Sequence, residues 1–301
     1  MSVEPIGAPA APDAAEPEPS GERLRPVGGW FMVVFTLTNF GLSLCILMPT
    51  LFTLAYKVQV VDPASKESSL GLVIGIGALV GFLVGPIIGV LSDATRLRWG
   101  RRRPYLIAGV VILAVGALLI GTASTVGQVL VGWSVSQIGV ATAFTAITPA
   151  LAEWVPEAQR GKLGAFVGVA AQLAGVAASL VGSLLLARPV LLFLLPVLVL
   201  GGASVLFLLT VPDRPAPPST RRASVGQFVR GLAFNPVVHK DFSLVLAGKF
   251  LFQLGVHAFA TYQLYFLLDR LGMTAEQAGQ NLALLGGIGV LVATGSAVVS
   301  G

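Results

Sequence analysis

Six stretches of this chain run without a single Asp, Glu, Lys, Arg or His: Pro26–Tyr56, Ser68–Ser92, Pro104–Ala152, Leu163–Ala187, Pro189–Pro212 and Gln277–Gly301. A helix needs roughly 20 apolar residues to cross the hydrocarbon core of a bilayer, and each stretch clears that length. Pro104–Ala152 is long enough for two passes, with a polar turn near Gly121–Gly127. Phe242–Leu268 is a further run, interrupted by Lys249 and His257. The runs are continuous rather than alternating, so they predict helices and not barrel strands. The expected fold is an all-α membrane protein with eight spans.

Composition agrees. Only 11% of the residues are charged, against roughly 25% in a soluble domain, and the mean hydropathy is +0.86. Such a chain cannot cover a water-facing surface, so its surroundings are membrane lipids. The net charge of +5 would suit nucleic acid if it formed one patch, but it is sorted by side instead. With the N-terminus in the cytoplasm, 14 Lys and Arg fall inside, among them Arg96, Arg98, Arg101, Arg102 and Arg103. Four fall outside, namely Lys57, Lys66, Arg188 and Arg270, and Lys249 stays within a span. Positive charge resists translocation, which fixes a multi-pass topology with a cytoplasmic N-terminus. The abundance of Ala, Gly and Val beside Arg rather than Lys points to a bacterial inner membrane.

Residues 1–25 are rich in Pro, Ala and Glu and predict a disordered tail rather than a signal peptide. Residues 26–212 form six spans. Residues 213–240 are rich in Pro, Ser and Arg, a compositional shift that marks a cytoplasmic linker. Within it, Ser224–Phe234 has the look of a surface helix. Two spans follow in residues 241–301. Gly301 closes span eight much as Gly89 closes span two, so the chain reads as a six-helix bundle plus the first two helices of a second, with the natural protein continuing. The single cysteine, Cys45, allows no internal disulfide.

The charged connection after span two carries a pattern: Gly89-Val-Leu-Ser-Asp93, then Gly100-Arg101-Arg102-Arg103-Pro104. One hairpin later comes Glu153-Trp-Val-Pro-Glu-Ala-Gln-Arg160-Gly161. These resemble the cytoplasmic signatures of the major facilitator superfamily. The lengthened gap between Asp93 and Gly100 is similar to its glycoside–pentoside–hexuronide and sucrose transporter branch. The resemblance implies a six-helix bundle built as a 3+3 inverted repeat. It also implies a gate in which Asp93 acts with Arg101, and Glu153 with Arg160 as the symmetry-related pair. The remaining arginines of the cluster, Arg102 and Arg103, would hold the connection at the cytoplasmic surface.

Span two also carries Gly77, Gly81, Gly85 and Gly89, one every four residues. Such a stripe lets helix backbones approach closely.

In this fold the resemblance places a solute cavity near the bilayer midplane. Span one offers Asn39 beside Thr36 and Thr38. Span four offers Gln137 and Thr142 beside Ser134 and Thr145. Span seven carries Lys249, Gln253, His257 and Thr261 at four-residue spacing, a polar stripe that must face protein or water. Two roles fit Lys249: snorkelling to the surface, or contact with a gate or solute. His257 suits a proton relay or a hydrogen-bonded packing role.

One departure from the family stands out. Cation-coupled members keep carboxylates within helices two or four, whereas here both spans have none. Gly139 stands about where sucrose transporters carry an Asp. The drug–proton antiporter signature is also missing from span five. The leading reading is therefore secondary active or facilitative transport of a small solute, with a sugar or related polar compound as the candidate class, by alternating access. Efflux of a small uncharged compound is the alternative within transport. A non-transporting scaffold or sensor is the alternative outside it. No hydrolase or protease motif is present, so an enzyme is not expected. Neither a metal site nor a cofactor is expected. The expected partners are the solute, H+ or Na+ as candidate coupling ions, and lipid. Nucleic acid is not among them, and a monomer is anticipated.

Overall fold

The structure is a computed structural model, and it describes residues 26–95, 100, 102–211 and 240–300. The expected tail, nearly all of the linker, Arg96, Arg98, Trp99, Arg101 and Gly301 lie outside the described residues.

The described elements are helices. They are α1 (Gly29–Met48), α2 (Leu54–Val61), α3 (Lys66–Ala94), α4 (Arg103–Thr122), α5 (Val126–Trp154), α6 (Glu157–Leu184), α7 (Pro189–Thr210), α8 (Lys240–Asp269) and α9 (Ala275–Ser300). A π-helical turn, Pro49–Thr53, joins α1 to α2. Proline has no amide hydrogen to give, so the ladder widens there instead of breaking. The result is one 33-residue helix, Gly29–Val61. It outruns the uncharged stretch that ends at Tyr56, because Lys57 is accommodated inside it.

Seven of the described helical spans are long and apolar enough to cross a membrane, and α9 is a further helix of 26 residues. The protein is a multi-pass membrane protein. The polar turn expected near Gly121–Gly127 is the α4–α5 connection. There the Thr125 side chain accepts from the Gln128 amide, and Gln128 returns a bond to the Thr125 amide, which satisfies two backbone donors at the start of α5.

The packing order explains the repeat. The long first helix lies between α6 and α7, while α5 lies between α3 and α4, and α4 meets α7. Each three-span unit thus inserts its first helix between the last two of the other. Three passes reverse the direction of the chain, so the two units run in opposite senses about a pseudo-two-fold axis in the membrane plane.

Two of these interfaces are set by glycine. On α4, a Cβ at Gly109 would meet the Ala143 amide at 2.6 Å, and one at Gly116 would meet Ser136 Oγ at 2.3 Å. On α5, a Cβ at Gly132 would lie 2.7 Å from Ile120, and one at Gly139 would lie 2.7 Å from the Leu113 amide. The spacing of seven residues within each helix brings both pairs onto one face at nearly whole turns. The ladder on α3 behaves differently along its length. Gly77 sits against the Trp133 indole and Gly81 against Gln137, whereas a Cβ at Gly85 or Gly89 would meet nothing within 4 Å. Half the stripe packs and half does not.

The last two helices dock unequally. α9 lies along α6, where Gly279 leaves room for Ser183. The buried residues of α8 are in its final turns, Thr261, Leu264, Tyr265 and Leu267. Its first 20 residues are almost wholly exposed.

Candidate functional site

Two places concentrate polar chemistry. The first is at the Arg102 end of the bundle. Gly100 turns the chain there with φ +96°, a left-handed conformation that glycine adopts without strain. The turn delivers Arg102 to the N-terminus of α4, and the close α4–α5 packing carries its guanidinium to the end of α5. Arg102 Nη2 donates to Glu153 Oε1 at 2.6 Å. Nη1 donates to Ser92 Oγ at 3.0 Å and to the Thr145 carbonyl at 3.3 Å, and lies 3.4 Å from Asp93 Oδ1. One buried cation therefore ties the ends of α3 and α5 to the start of α4. A planar guanidinium can do this because it presents several donors in a fixed fork.

The expected pairings change accordingly. Glu153 pairs with Arg102, not with Arg160. Arg160 turns back to the end of its own hairpin and donates to the carbonyls of Ala152 and Val155 at 2.9 and 3.0 Å. Those carbonyls have no partner further along α5, and a cation there meets the negative end of the helix dipole. Arg103 donates to the Val211 carbonyl at 2.7 Å, which fixes the end of α7. Arg101 lies outside the described residues. A Cβ at Gly89 or Gly161 would meet open space, so neither is a point of tight packing here.

The second place is a cavity of about 450 Å³ between the long first helix, α6, α8 and α9. Its polar groups are Gln172, Ser179 and Gln263, and its aromatic ones are Phe259 and Phe266. Among the described residues, no ionisable side chain lines it. The residues expected to line a cavity are elsewhere. The Asn39 amide donates to the Phe35 carbonyl and Thr142 to the Ile138 carbonyl, each within its own helix. Gln137 stands beside Gly81. Of the α8 stripe, Lys249, Gln253 and His257 are exposed, and only Thr261 is buried. Among the described residues the stripe is not gathered into one wall, since three of its four members are exposed. Gln172 and Gln263 were missed by sequence reasoning: Gln172 is one polar residue in an apolar run, and Gln263 lies outside the four-residue stripe.

Lys57, counted above among the outer cations, lies within the long first helix. It is buried, and its Nζ donates to the Gly121 carbonyl at 3.1 Å. This caps the last turn of α4. Among the described residues, no cluster of three or more His, Cys, Asp or Glu could hold a metal ion.

Comparison with known proteins sets this geometry in a family. The description "Major Facilitator Superfamily" matches residues 29–301, nearly the whole chain. The chain belongs to the Major Facilitator Superfamily. This superfamily is one of transporters rather than enzymes. The human "Membrane-associated transporter protein" is 31% identical over 118 residues, which are 36% of this chain and 22% of that protein. The "Sucrose transport protein SUT5" of Oryza sativa subsp. indica is 37% identical over 79 residues, 25% of this chain and 15% of that one. The matched stretches thus span less than a quarter of these relatives' length. Among solved structures, a D-xylose–proton symporter superposes with a TM-score of 0.56 at 19% identity, covering 87% of this chain and 66% of that one. A bacterial homolog of the human lysosomal transporter Spinster, inward-facing and unoccupied, gives 0.54 at 17%, covering 85% and 58%. Both share the major facilitator fold.

Proposed function

We propose that this protein carries a small uncharged solute across a membrane by alternating access, with α8 and α9 as the first helices of a second bundle. The observation that carries the reading is the cavity at the seam between the six-helix bundle and that pair. Its volume suits a small ligand. Its lining has no charge to neutralise an ionic solute, and burying an unpaired ion is costly. Gln172 and Gln263 supply both donors and acceptors, and Phe259 and Phe266 supply flat apolar faces. A sugar or related polyol has that mixture of hydroxyl edges and apolar ring faces. The names of the sucrose and D-xylose transporters above favour the same class.

In this reading the N-terminus and the Arg102 cluster face the cytoplasm of a bacterial inner membrane, a sidedness that the charge asymmetry supports. Arg102, Asp93 and Glu153 form a rigid cytoplasmic rim against which the second bundle closes, with Arg101, Arg103, Arg160, Gly89, Gly100 and Gly161 completing the gate region. A monomer suffices. Among the described residues, the carboxylates sit at helix ends and connections, not in mid-span. An acid that couples transport to H+ or Na+ from mid-membrane is therefore not among these residues.

Uptake of radiolabelled sucrose and D-xylose into proteoliposomes of the full-length protein, with and without pH and sodium gradients, tests the reading. Saturable uptake that Asp93→Asn reduces ~10-fold or more is expected, the scale of losing a charge-assisted contact. A protein that inserts normally but neither binds nor moves any solute of a broad neutral panel would instead be a scaffold or sensor.

A further inference from the structure

We propose that the cavity takes an amphipathic neutral solute, a polar ring bearing an apolar substituent, and that Gly175 and Gly286 hollow the niche for that substituent. The inference rests on the reading above that this cavity is the solute site, and it narrows the class of solute.

The polar side of the lining is sparse. Its polar side chains are Gln172, Ser179 and Gln263. Ser179 is buried and gives its hydroxyl to the Gly175 carbonyl of its own helix at 3.5 Å, so it has no second proton to offer a solute. Gln172 and Gln263 remain, and among the described residues neither amide is engaged elsewhere. Each amide has an acceptor oxygen and a donor nitrogen, so the pair can serve one edge of a small ring. A bare sugar carries a hydroxyl on nearly every carbon. Every hydroxyl buried without a partner weakens binding, because its bonds to water are lost and not replaced.

The other side of the lining has the opposite character. Leu47 and Leu51 of the long first helix stand across from Gly175 on α6, and Val176 stands across from Gly286 on α9. All five line the cavity. A Cβ at Gly175 would lie 3.8 Å from Leu47 Cδ1 and 3.9 Å from Leu51 Cδ1, and one at Gly286 would lie 3.4 Å from Val176 Cγ2. At Gly109 and Gly116 the corresponding approaches are 2.6 and 2.3 Å. Close packing therefore demands glycine at 109 and 116 but not at 175 and 286. The two absent methyls instead widen the cavity where its walls are leucine and valine. An apolar group seated there covers apolar wall that water would otherwise wet, and the gain grows with the area covered.

The test measures binding, which does not depend on transport. Radiolabelled phenyl β-D-xyloside is bound to the full-length protein in nanodiscs and displaced by unlabelled phenyl β-D-xyloside or by D-xylose. The phenyl compound is expected to bind about 10-fold more tightly than D-xylose, from the apolar area its ring covers. Gly175→Ala adds a methyl at ordinary contact distance, so the protein keeps its fold. It is expected to weaken the phenyl compound about 10-fold and D-xylose by less than about 2-fold, since one methyl in an apolar pocket discriminates on that scale. Gly286→Ala is expected to act in the same direction. Failure of the phenyl compound to bind, D-xylose binding as tightly as the phenyl compound, or both glycine variants weakening the two ligands equally would overturn the niche. D-xylose taken up into proteoliposomes without that selectivity would keep the transport reading and remove the niche. Selective binding of a phenyl compound that is never moved would keep the niche and remove the transport reading, so the two fail separately.

Discussion

The α4–α5 interface and the seat of α8 are held in opposite ways. Between α4 and α5 the contact runs the length of the helices. Glycines at 109, 116, 132 and 139 bring the backbones so near that an added methyl would collide with main-chain or short side-chain atoms. The last turns of α8, by contrast, meet the bundle through two tyrosine hydroxyls and an ion pair. Interlocked backbones have one arrangement, because any shift creates overlap or a void. A helix held by a few polar contacts can release them singly. Among the described residues, the six-helix body is thus joined backbone to backbone, whereas the last turns of α8 meet it through side chains.

The largest expected effect comes from attacking the rigid side. Gly139→Asp would place a carboxylate against the α4 backbone and is expected to cost roughly 3 kcal/mol or more, through overlap and an unpaired buried charge. A thermal-unfolding scan in detergent would show it, and a variant as stable as wild type would mean that α4 and α5 are not interlocked.

Arg102→Ala comes next. It removes four contacts at once and is expected to cost roughly 2–3 kcal/mol, whereas Arg160→Ala is expected to cost about 1 kcal/mol or less, since it caps one helix end. Equal losses would show that Arg102 is not the hub. Lys57→Met keeps the length of the side chain and loses one bond to the Gly121 carbonyl, so about 1 kcal/mol is expected. Its effect on stability should not depend on solute. The smallest effect is expected at Gly85→Ala, within about 0.5 kcal/mol, because the added methyl enters open space. Gly77→Ala on the same stripe meets the Trp133 ring and should be measurably worse. If the two behave alike, the packed and open halves of α3 are not distinct.

How much of this was legible depends on the kind of physics involved. The positions of the spans followed from runs without charge, since lipid tolerates so few ionised groups. Lys57 escaped that reasoning because a lysine that can reach a helix-end carbonyl no longer ends a span. The charged connection after span two was legible as a motif, but not its wiring. Glu153 and Arg160 look like natural partners in sequence, seven residues apart. The turn between α5 and α6 sends Arg160 back to its own helix end and leaves Glu153 to Arg102. The polar stripe on α8 was real as a periodicity, yet a period says which residues share a face and nothing about whether a neighbour covers it.

The sequence alone determined that this chain is a set of membrane helices, with the family signatures between spans two and three and between four and five. Hydropathy and charge are properties of residue types, and the bilayer reads them segment by segment. Which helices touch, which arginine holds which acid, and where a cavity opens were decided only by the tertiary structure. Those outcomes depend on distances of a few tenths of an ångström between segments remote in sequence, and no local pattern records such distances.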